Sequence, residues 1–152
     1  SRILFSNIIF KYRETKEIDT TLELVDIIKN SVPYKERLKK HPAKQIFQAI
    51  RIEVNHELDV IKPALEQALE MLNVGGRVEV ITFHSLEDKI VKKYFKEVCS
   101  IDDKIKGLPN IPKEYLPDFK LVVNKAIIPT DKELKNNNRA RSAKLRIIER
   151  VK

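Results

Sequence analysis

The sequence predicts an α/β fold, with a helical segment over residues 1–56 followed by a sheet-forming segment over 57–152. Three observations carry that reading. Gly75 and Gly76 separate a helical pattern from a β-branched run, Val78, Val80 and Ile81, that Phe83 closes. Paired glycines give the permissive backbone that ends a helix and turns into a strand. An amphipathic helical pattern follows directly over Leu86 to Val98. Two further strand-like runs end the chain with no helix-sized segment between them, so they are expected to pair antiparallel. Helix, Gly-Gly, strand, helix is the unit from which parallel α/β sheets are built, and in such sheets ligands sit beyond the carboxyl ends of the strands. His84 and Ser85 fall at that end.

The elements follow in order. Arg2 to Tyr12 predicts a helix with Ile3, Leu4, Ile8, Ile9 and Phe10 on roughly one face, and Lys16 to Asp19 breaks it. Thr20-Thr21-Leu22-Glu23 opens a second helix with a Thr cap and an early acid. Leu24, Val25, Ile27 and Ile28 form its buried stripe, and it ends near Ser31 because Pro33 disfavours a helical residue before it. Tyr34 to Lys40 is a basic connection. A third helix starts at His41-Pro42, with Pro42 suited to a first helical position. Ile46, Phe47, Ile50 and Val54 form its inner face, while Lys44, Gln48, Arg51 and Asn55 share another side. His56 to Met71 reads as continued helix, re-started at Pro63, with Leu58, Ile61, Leu65, Leu69 and Leu72 facing a sheet.

Beyond the Gly-Gly turn, Val78, Val80, Ile81 and Phe83 are expected to be buried. Ser85 followed by Asp88 reads as an N-cap with an acid at the third helical position. Ile90, Val91, Tyr94 and Phe95 are the inward face of the helix they open. Ser100 to Asp118, with Gly107, Pro109, Pro112 and Pro117, is a loop. Phe119 to Ile128 is a second strand, closed by Pro129. Asp131 to Arg141 is polar, with a turn at Asn136-Asn137-Asn138. Ser142 to Val151 is the third strand, with Leu145, Ile147 and Val151 on one face and Ile148 on the other.

A chain of 152 residues with 42% hydrophobic and 34% charged content builds one domain, or one with a small appendage, rather than a disordered polymer. A single cysteine, Cys99, excludes an internal disulfide and a Cys-rich zinc site, and reads as a packing residue at a helix end. His41, His56 and His84 lack metal-ligand spacing, so no metal is expected. No apolar run approaches a membrane span and no signal peptide is visible, which fits a cytoplasmic protein with no membrane partner. Ser1, directly before an apolar helical pattern, suggests a piece of a longer protein. The net charge of +8 is concentrated. Tyr34 to Arg51 holds six Lys/Arg against one Glu, and Asp131 to Lys152 holds eight Lys/Arg against three acids. Two basic patches on a near-neutral body form a polyanion footprint; the plainer alternative is two solvated lysine-rich loops.

Three local runs carry a family resemblance: HPAKQIFQAIRIEVN at residues 41–55, FHSLEDKIVK at 83–92 and NRARSAKLR at 138–146. Together, and in this order, they resemble the RsmH (MraW) family of 16S ribosomal RNA cytosine-N4 methyltransferases. The resemblance implies the closing half of a class I methyltransferase sheet, with its last two strands antiparallel, preceded by part of a helical inserted domain. Gln45-Ile46 stands where the family usually has Arg-Thr, Glu79 where it has an apolar residue, and Thr82 where it has serine. The family's Gly-rich S-adenosylmethionine loop, acidic ribose-binding position and Asp-containing motif beside the target amine precede the part matched here. Gly75, Gly76 and Gly107 are the only glycines and make no nucleotide loop. The resemblance therefore implies the carboxy-terminal portion of the enzyme, inactive by itself, with S-adenosylmethionine used by the parent and none bound to this fragment. The implied partner is 16S ribosomal RNA or the small ribosomal subunit. Self-association through an exposed sheet edge is also expected. The alternative is a non-catalytic basic RNA-binding module, which a start codon just before Ser1 would favour over the enzyme.

His84, at a strand's carboxyl end, is the candidate catalytic residue, for contact to cofactor or base or for proton handling; the plainer reading is a hydrogen-bonded corner. Ser85 is a cap rather than a nucleophile, because no hydrolase elbow surrounds it. His41, Lys44, Arg51, Asn55, Arg139, Arg141 and Lys144 are the candidate RNA-binding residues, the last two belonging to the family pattern. In the parent, the exocyclic amine of a cytosine would attack the methyl group in line, with positioning and a dry pocket supplying most of the catalysis.

Overall fold

A computed structural model describes residues 2–33, 43–102, 105, 107 and 110–152. The chain divides into two compact units, Ser1–Asn55 and His56–Lys152.

The first unit holds α1 (Arg2–Thr15), α2 (Thr21–Asn30) and α3 (Ala43–Asn55). α2 begins where Thr20, in extended backbone, accepts the Glu23 N–H at 3.2 Å, the cap the sequence predicts. The Glu23 carboxylate reaches back, accepting from Lys16 Nζ at 2.7 Å and from the Asp19 N–H at 3.2 Å, which ties the end of α1 to the start of α2. Ile27, Ile28, Val32 and Ala43 are buried among the described residues of this unit. Burial falls along α3: Ile46 and Phe47 are half-buried, but Ile50 and Val54, expected inside, are 43% and 70% exposed. α2, the neighbour of α3 in this unit, is the shorter helix. The basic connection and the expected helix start at His41-Pro42 lie outside the described residues.

The second unit holds α4 (Ile61–Glu70), β1 (Arg77–Thr82), α5 (Ser85–Val98), β2 (Phe119–Leu121), α6 (Asp131–Asn136) and β3 (Lys144–Arg150). Turns of 3-10 helix occupy Lys113–Tyr115 and Asn138–Ser142. The helix expected to continue through His56 is broken there. His56 has φ +52, a left-handed backbone that cannot sit inside an α-helix. The next helix starts at Ile61, and Pro63 falls in its first turn, where a missing N–H costs nothing.

Both glycines before β1 are needed. Gly75 has φ +83, and a Cβ on Gly76 would meet the Asn73 carbonyl oxygen at 2.8 Å. The turn is joined to the last strand: the Gly75 N–H donates to the Arg150 carbonyl at 2.8 Å, the Arg150 N–H donates to the Gly76 carbonyl at 2.9 Å, and Arg150 Nη1 donates to the Leu72 carbonyl at 2.7 Å.

The sheet has strand order β1-β3-β2, with β3 antiparallel to both neighbours. The antiparallel pairing expected of the last two strands is present. β1 and β2 run the same way but are separated by β3, so among the described residues β1 has no parallel partner, contrary to the expectation from the Gly-Gly unit. The result is a mixed α/β unit with a small three-stranded antiparallel sheet. β2 is shorter than expected: it ends at Leu121, and only Ile127 rejoins, bridging to Leu145. The polar stretch after it is a short helix and a 3-10 turn rather than a single turn. Thr130 caps α6 by accepting the Glu133 N–H at 3.2 Å.

Register decides what each face carries, since directly opposed residues share a face. Val78 faces Ile148, Val80 faces Arg146 and Thr82 faces Lys144, on the side toward α4 and α5. There Leu65, Leu69, Val91, Tyr94, Phe95 and Ile148 form the core, with Val78, Val80, Phe119 and Leu121 packed against it. Glu79 with Ile147 and Ile81 with Leu145 lie on the other side, which no long helix of this unit covers. Ile81 and Phe83, expected inside, are therefore 58% and 56% exposed. Cys99 caps the end of α5 against the core, and burial pushes its thiol up to about 11.

The two faces predict opposite responses to truncation. Ile148→Ala should lower the unfolding free energy by about 2–5 kcal/mol, because a wholly buried side chain leaves a cavity. Ile81→Ala should stay within about 0.5 kcal/mol. Urea unfolding of the two variants measures this, and equal losses would show that both faces are covered.

Candidate functional site

The carboxyl end of β1 is the corner Thr82-Phe83-His84 leading into α5. Thr82 is buried and its hydroxyl donates to the Lys144 carbonyl at 3.4 Å. His84, not Ser85, is the N-cap of α5. Its backbone is extended, with φ −141 and ψ 163, and its Nδ1 accepts the Glu87 N–H at 3.3 Å. Glu87 returns the bond: its Oε2 accepts the Phe83 N–H at 2.8 Å and the His84 N–H at 3.2 Å. This is a capping box with histidine in the place usually held by serine or threonine. Ser85 is the first helical residue and is exposed. The sequence offered two overlapping boxes, Ser85 with Asp88 and His84 with Glu87. A glutamate reaches back to the cap backbone better than the shorter aspartate, and that signal selects His84.

Capping fixes the imidazole. Nδ1 accepts a hydrogen bond, so the proton of the neutral ring is on Nε2. Nε2 is buried and, among the described residues, is the one buried side-chain nitrogen or oxygen with no hydrogen-bond partner. Glu87 Oε1 lies 3.1 Å from it, but outside hydrogen-bonding alignment, so that contact is only electrostatic.

Asp88, expected to serve the cap, does something else. It is 8% exposed and faces β3. Arg146 Nε donates to its Oδ1 at 2.7 Å and Arg146 Nη2 to its Oδ2 at 3.3 Å, and Lys144 Nζ donates to Oδ2 at 3.1 Å. The Arg146 hydrogen bonds hold the Asp88 carboxyl below its usual range, Lys144 adds to this, and partial burial opposes it. Lys144 thus splits between structure and surface: its side chain is 41% exposed, but its charge is already engaged.

The other expected RNA-binding residues fall in separate places. His41 lies outside the described residues. Lys44, Arg51 and Asn55 are exposed on α3 in the first unit, with Gln48 half-buried. Arg139 and Arg141 are exposed on the 3-10 turn before β3 in the second unit. Arg139 also lines a groove of about 730 Å³ on the open side of the sheet, with Ile81, Phe83, Ile127, Ile128 and Leu145 among its apolar walls. The groove therefore adjoins the carboxyl end of β1. The sequence reading did not find it, because it took β1 to be buried on both sides.

Gly75 and Gly76 sit at the amino end of β1, opposite this corner, and are committed to Arg150. They do not form a cofactor loop, and the described residues supply no other glycine-lined cradle at a strand's carboxyl end.

Comparison with known proteins gives a consistent result. The model of the MraW methylase family matches residues 4–151. Ribosomal RNA small subunit methyltransferase H of Limosilactobacillus fermentum is 55% identical over 141 residues, covering 92% of this chain and 45% of that protein. The protein of the same name from Lactiplantibacillus plantarum is 52% identical over 148 residues, covering 97% and 46%. That from Streptococcus mutans is 55% identical over 141 residues, covering 92% and 44%. The chain spans about half the length of the curated relatives it matches.

Two stability predictions follow from the corner. His84→Ala should cost about 1 kcal/mol through the vacated cap, whereas Ser85→Ala should be near neutral and His84→Asn should retain most of the cap. Thermal unfolding of the three variants checks this; a larger loss for Ser85→Ala would restore Ser85 as the cap. Asp88→Asn should lose about 1.5–3 kcal/mol at neutral pH. The sign with pH is fixed: a lowered folded-state value means the stabilisation is present above the unfolded carboxyl value of 3.8 and is lost as pH falls through the folded value. Urea unfolding across an acid pH series should therefore fall less steeply for Asp88→Asn than for the parent.

Proposed function

The chain belongs to the MraW methylase family, and on that premise we propose that it is the carboxy-terminal part of an S-adenosylmethionine-dependent methyltransferase acting on cytosine N4 of small-subunit ribosomal RNA. The observation that carries the reading is the match over residues 4–151, joined to the name shared by relatives 52–55% identical to it. In the whole protein S-adenosylmethionine supplies the methyl group. The residues present here do not fit a cofactor cradle, so the cofactor site is assigned to the part of the relatives that this chain does not span, and the chain alone is inactive. No described helix is long and apolar enough to cross a membrane, and with ribosomal RNA as substrate the place of action is the cytoplasm.

Residues 1–56 are read as part of the helical inserted domain and 57–152 as the closing part of the catalytic domain. The chain's own tasks are then to close the sheet, to present the His84 corner and to hold RNA through His41, Lys44, Arg51, Asn55, Arg139 and Arg141, with Lys144 adding only its exposed side because its ammonium group is paired with Asp88. The support for His84 is its buried Nε2–H, a donor that a bound base or cofactor at the strand's end would complete. The open face and free β1 edge support self-association of the isolated chain.

The test joins the chain to its upstream reading frame. Mass spectrometry of ribosomal RNA nucleosides should find N4-methylcytidine made by the whole protein and none by residues 1–152. Calorimetry with the chain alone should show no S-adenosylmethionine binding; micromolar binding would place the cofactor site here. His84→Asn in the whole protein should lower methylation while keeping the melting temperature, and unchanged activity would leave His84 as a cap alone. Sedimentation of the isolated chain should show self-association that rises with concentration.

A further inference from the structure

The outer face of α5 carries Lys89, Lys92, Lys93 and Lys96, all exposed. Their spacing places them on one side of the helix, adjacent in pairs three and four residues apart. Ordinary solvated helix faces set acids against bases at these spacings. The four pairs among these lysines, Lys89/Lys92, Lys89/Lys93, Lys92/Lys96 and Lys93/Lys96, are like-charged, and like charges at these spacings work against the helix; Asp88 and Glu97 stand four residues from Lys92 and Lys93. Among the described residues none of the four lysines forms an ion pair. Of the nearby acids, Glu87 is held in the capping box and Asp88 by Arg146, and Glu97, one turn on from Lys93, forms no ion pair with it among the described residues. The cations of the sheet are different. Arg77 and Lys120 share Glu149, Lys144 and Arg146 share Asp88, and Lys152 meets Asp118. A stripe of four lysines with no ion pair among the described residues, beside a sheet whose cations are matched, is a surface suited to an external anion.

We propose that the Lys89–Lys92–Lys93–Lys96 face of α5 is a phosphate-backbone contact for single-stranded RNA, distinct from the arginines before β3. Charge complementarity selects the occupant. The stripe is a row of flexible ammonium groups with no apolar or aromatic residue between them on that face, which suits repeated backbone phosphates and carries no base readout. Its position suits the same occupant. α5 starts at the His84 corner, and Lys89 falls in its second turn, so the stripe begins close to the carboxyl end of β1. The proposal rests on the reading of the whole protein as an RNA methyltransferase and adds a second basic surface to it, on the helix that leaves the His84 corner.

The experiment uses the full 152-residue chain and a fluorescein-labelled single-stranded RNA oligonucleotide, with affinity measured across a salt series. Replacing all four lysines by glutamine should reduce the slope of log affinity against log salt by about 2–3, as expected for about 0.7 per lost single-strand phosphate contact. Replacing all four by arginine should keep the slope. Thermal unfolding of the glutamine variant should match or exceed the parent, since four repulsive pairs are gone. Independently of any variant, RNA should protect these lysines of the unaltered chain from acetylation by an activated ester, read by mass spectrometry. An unchanged slope, with no protection, in a chain that still binds RNA overturns the stripe but leaves the RNA reading standing. Absence of any salt-dependent RNA binding by the parent overturns both. Loss of poly-glutamate binding in the glutamine variant with RNA binding intact assigns the face to an acidic protein and overturns it as an RNA contact.

Discussion

Arg146 occupies the middle strand and points toward the helices, onto a face that is otherwise built of Val78, Val80, Ile148 and the apolar sides of α4 and α5. A guanidinium there has to meet an anion, because an unpaired charge at that depth costs far more than the pair returns. Asp88, in the first turn of α5, is that anion. The contact fixes α5 against β3 at the end where β1 stops. The capping box at His84 then has only one place to form. Position of the corner, tautomer of the imidazole and direction of α5 thus follow from one carboxylate. The pair is a device of placement more than of net stability, since a well-packed apolar pair could hold the same layers together.

The open side of the sheet is divided along its length. At the amino end of β1, Glu149 accepts from Lys120 and Arg77, each at 2.7 Å across a strand, and those bonds, Lys120 first, hold its carboxyl below the usual range. This ladder gives the uncovered sheet a charged, self-satisfied half that resists pairing with another edge. At the carboxyl end the same face turns apolar, with Ile81, Phe83, Leu145 and Ile127 around the groove. Uncovered hydrophobic area is therefore confined to the end where a ligand or a further layer would sit, rather than spread over the face.

Much of this was legible in the sequence, and the failures share a cause. Gly75-Gly76 marked a turn that needs a positive φ and close approach. The missing spacer between the last strands announced their antiparallel pairing, and the alternation of Leu145, Ile147 and Ile148 assigned their faces. These are local rules, and they held. What failed needed a neighbour. Ile81 and Phe83 have strand propensity whether or not anything covers them, so composition could not show that only one face is packed. Asp88 satisfies a first-turn preference for acids equally well as a cap or as a partner for a strand 56 residues away. The short helix at Asp131–Asn136 was readable, because Thr130 and Glu133 stand at capping-box spacing, but the run of three asparagines from its last residue suggested a turn alone. His84 was proposed as a site residue by position; the task the structure shows, capping α5, was hidden because histidine is not a usual cap.

Charge shows the same limit in another form. Summed by segment, the chain has two basic stretches and a body near neutrality. Two acids of the body are turned toward cations of the sheet: Asp88 toward Arg146 and Lys144, Glu149 toward Arg77 and Lys120. Each such match removes an acid from the account of the surface and leaves lysines elsewhere without a counterpart. The lysines of α5 are among these. A near-zero sum over a stretch of sequence is therefore compatible with a strongly positive surface, provided the negative charges are the ones used to hold the fold. In this chain Asp88 and Glu149 are spent on the sheet, and the lysines of α5 face solvent with no ion pair among the described residues, which is the arrangement that the proposed phosphate contact rests on.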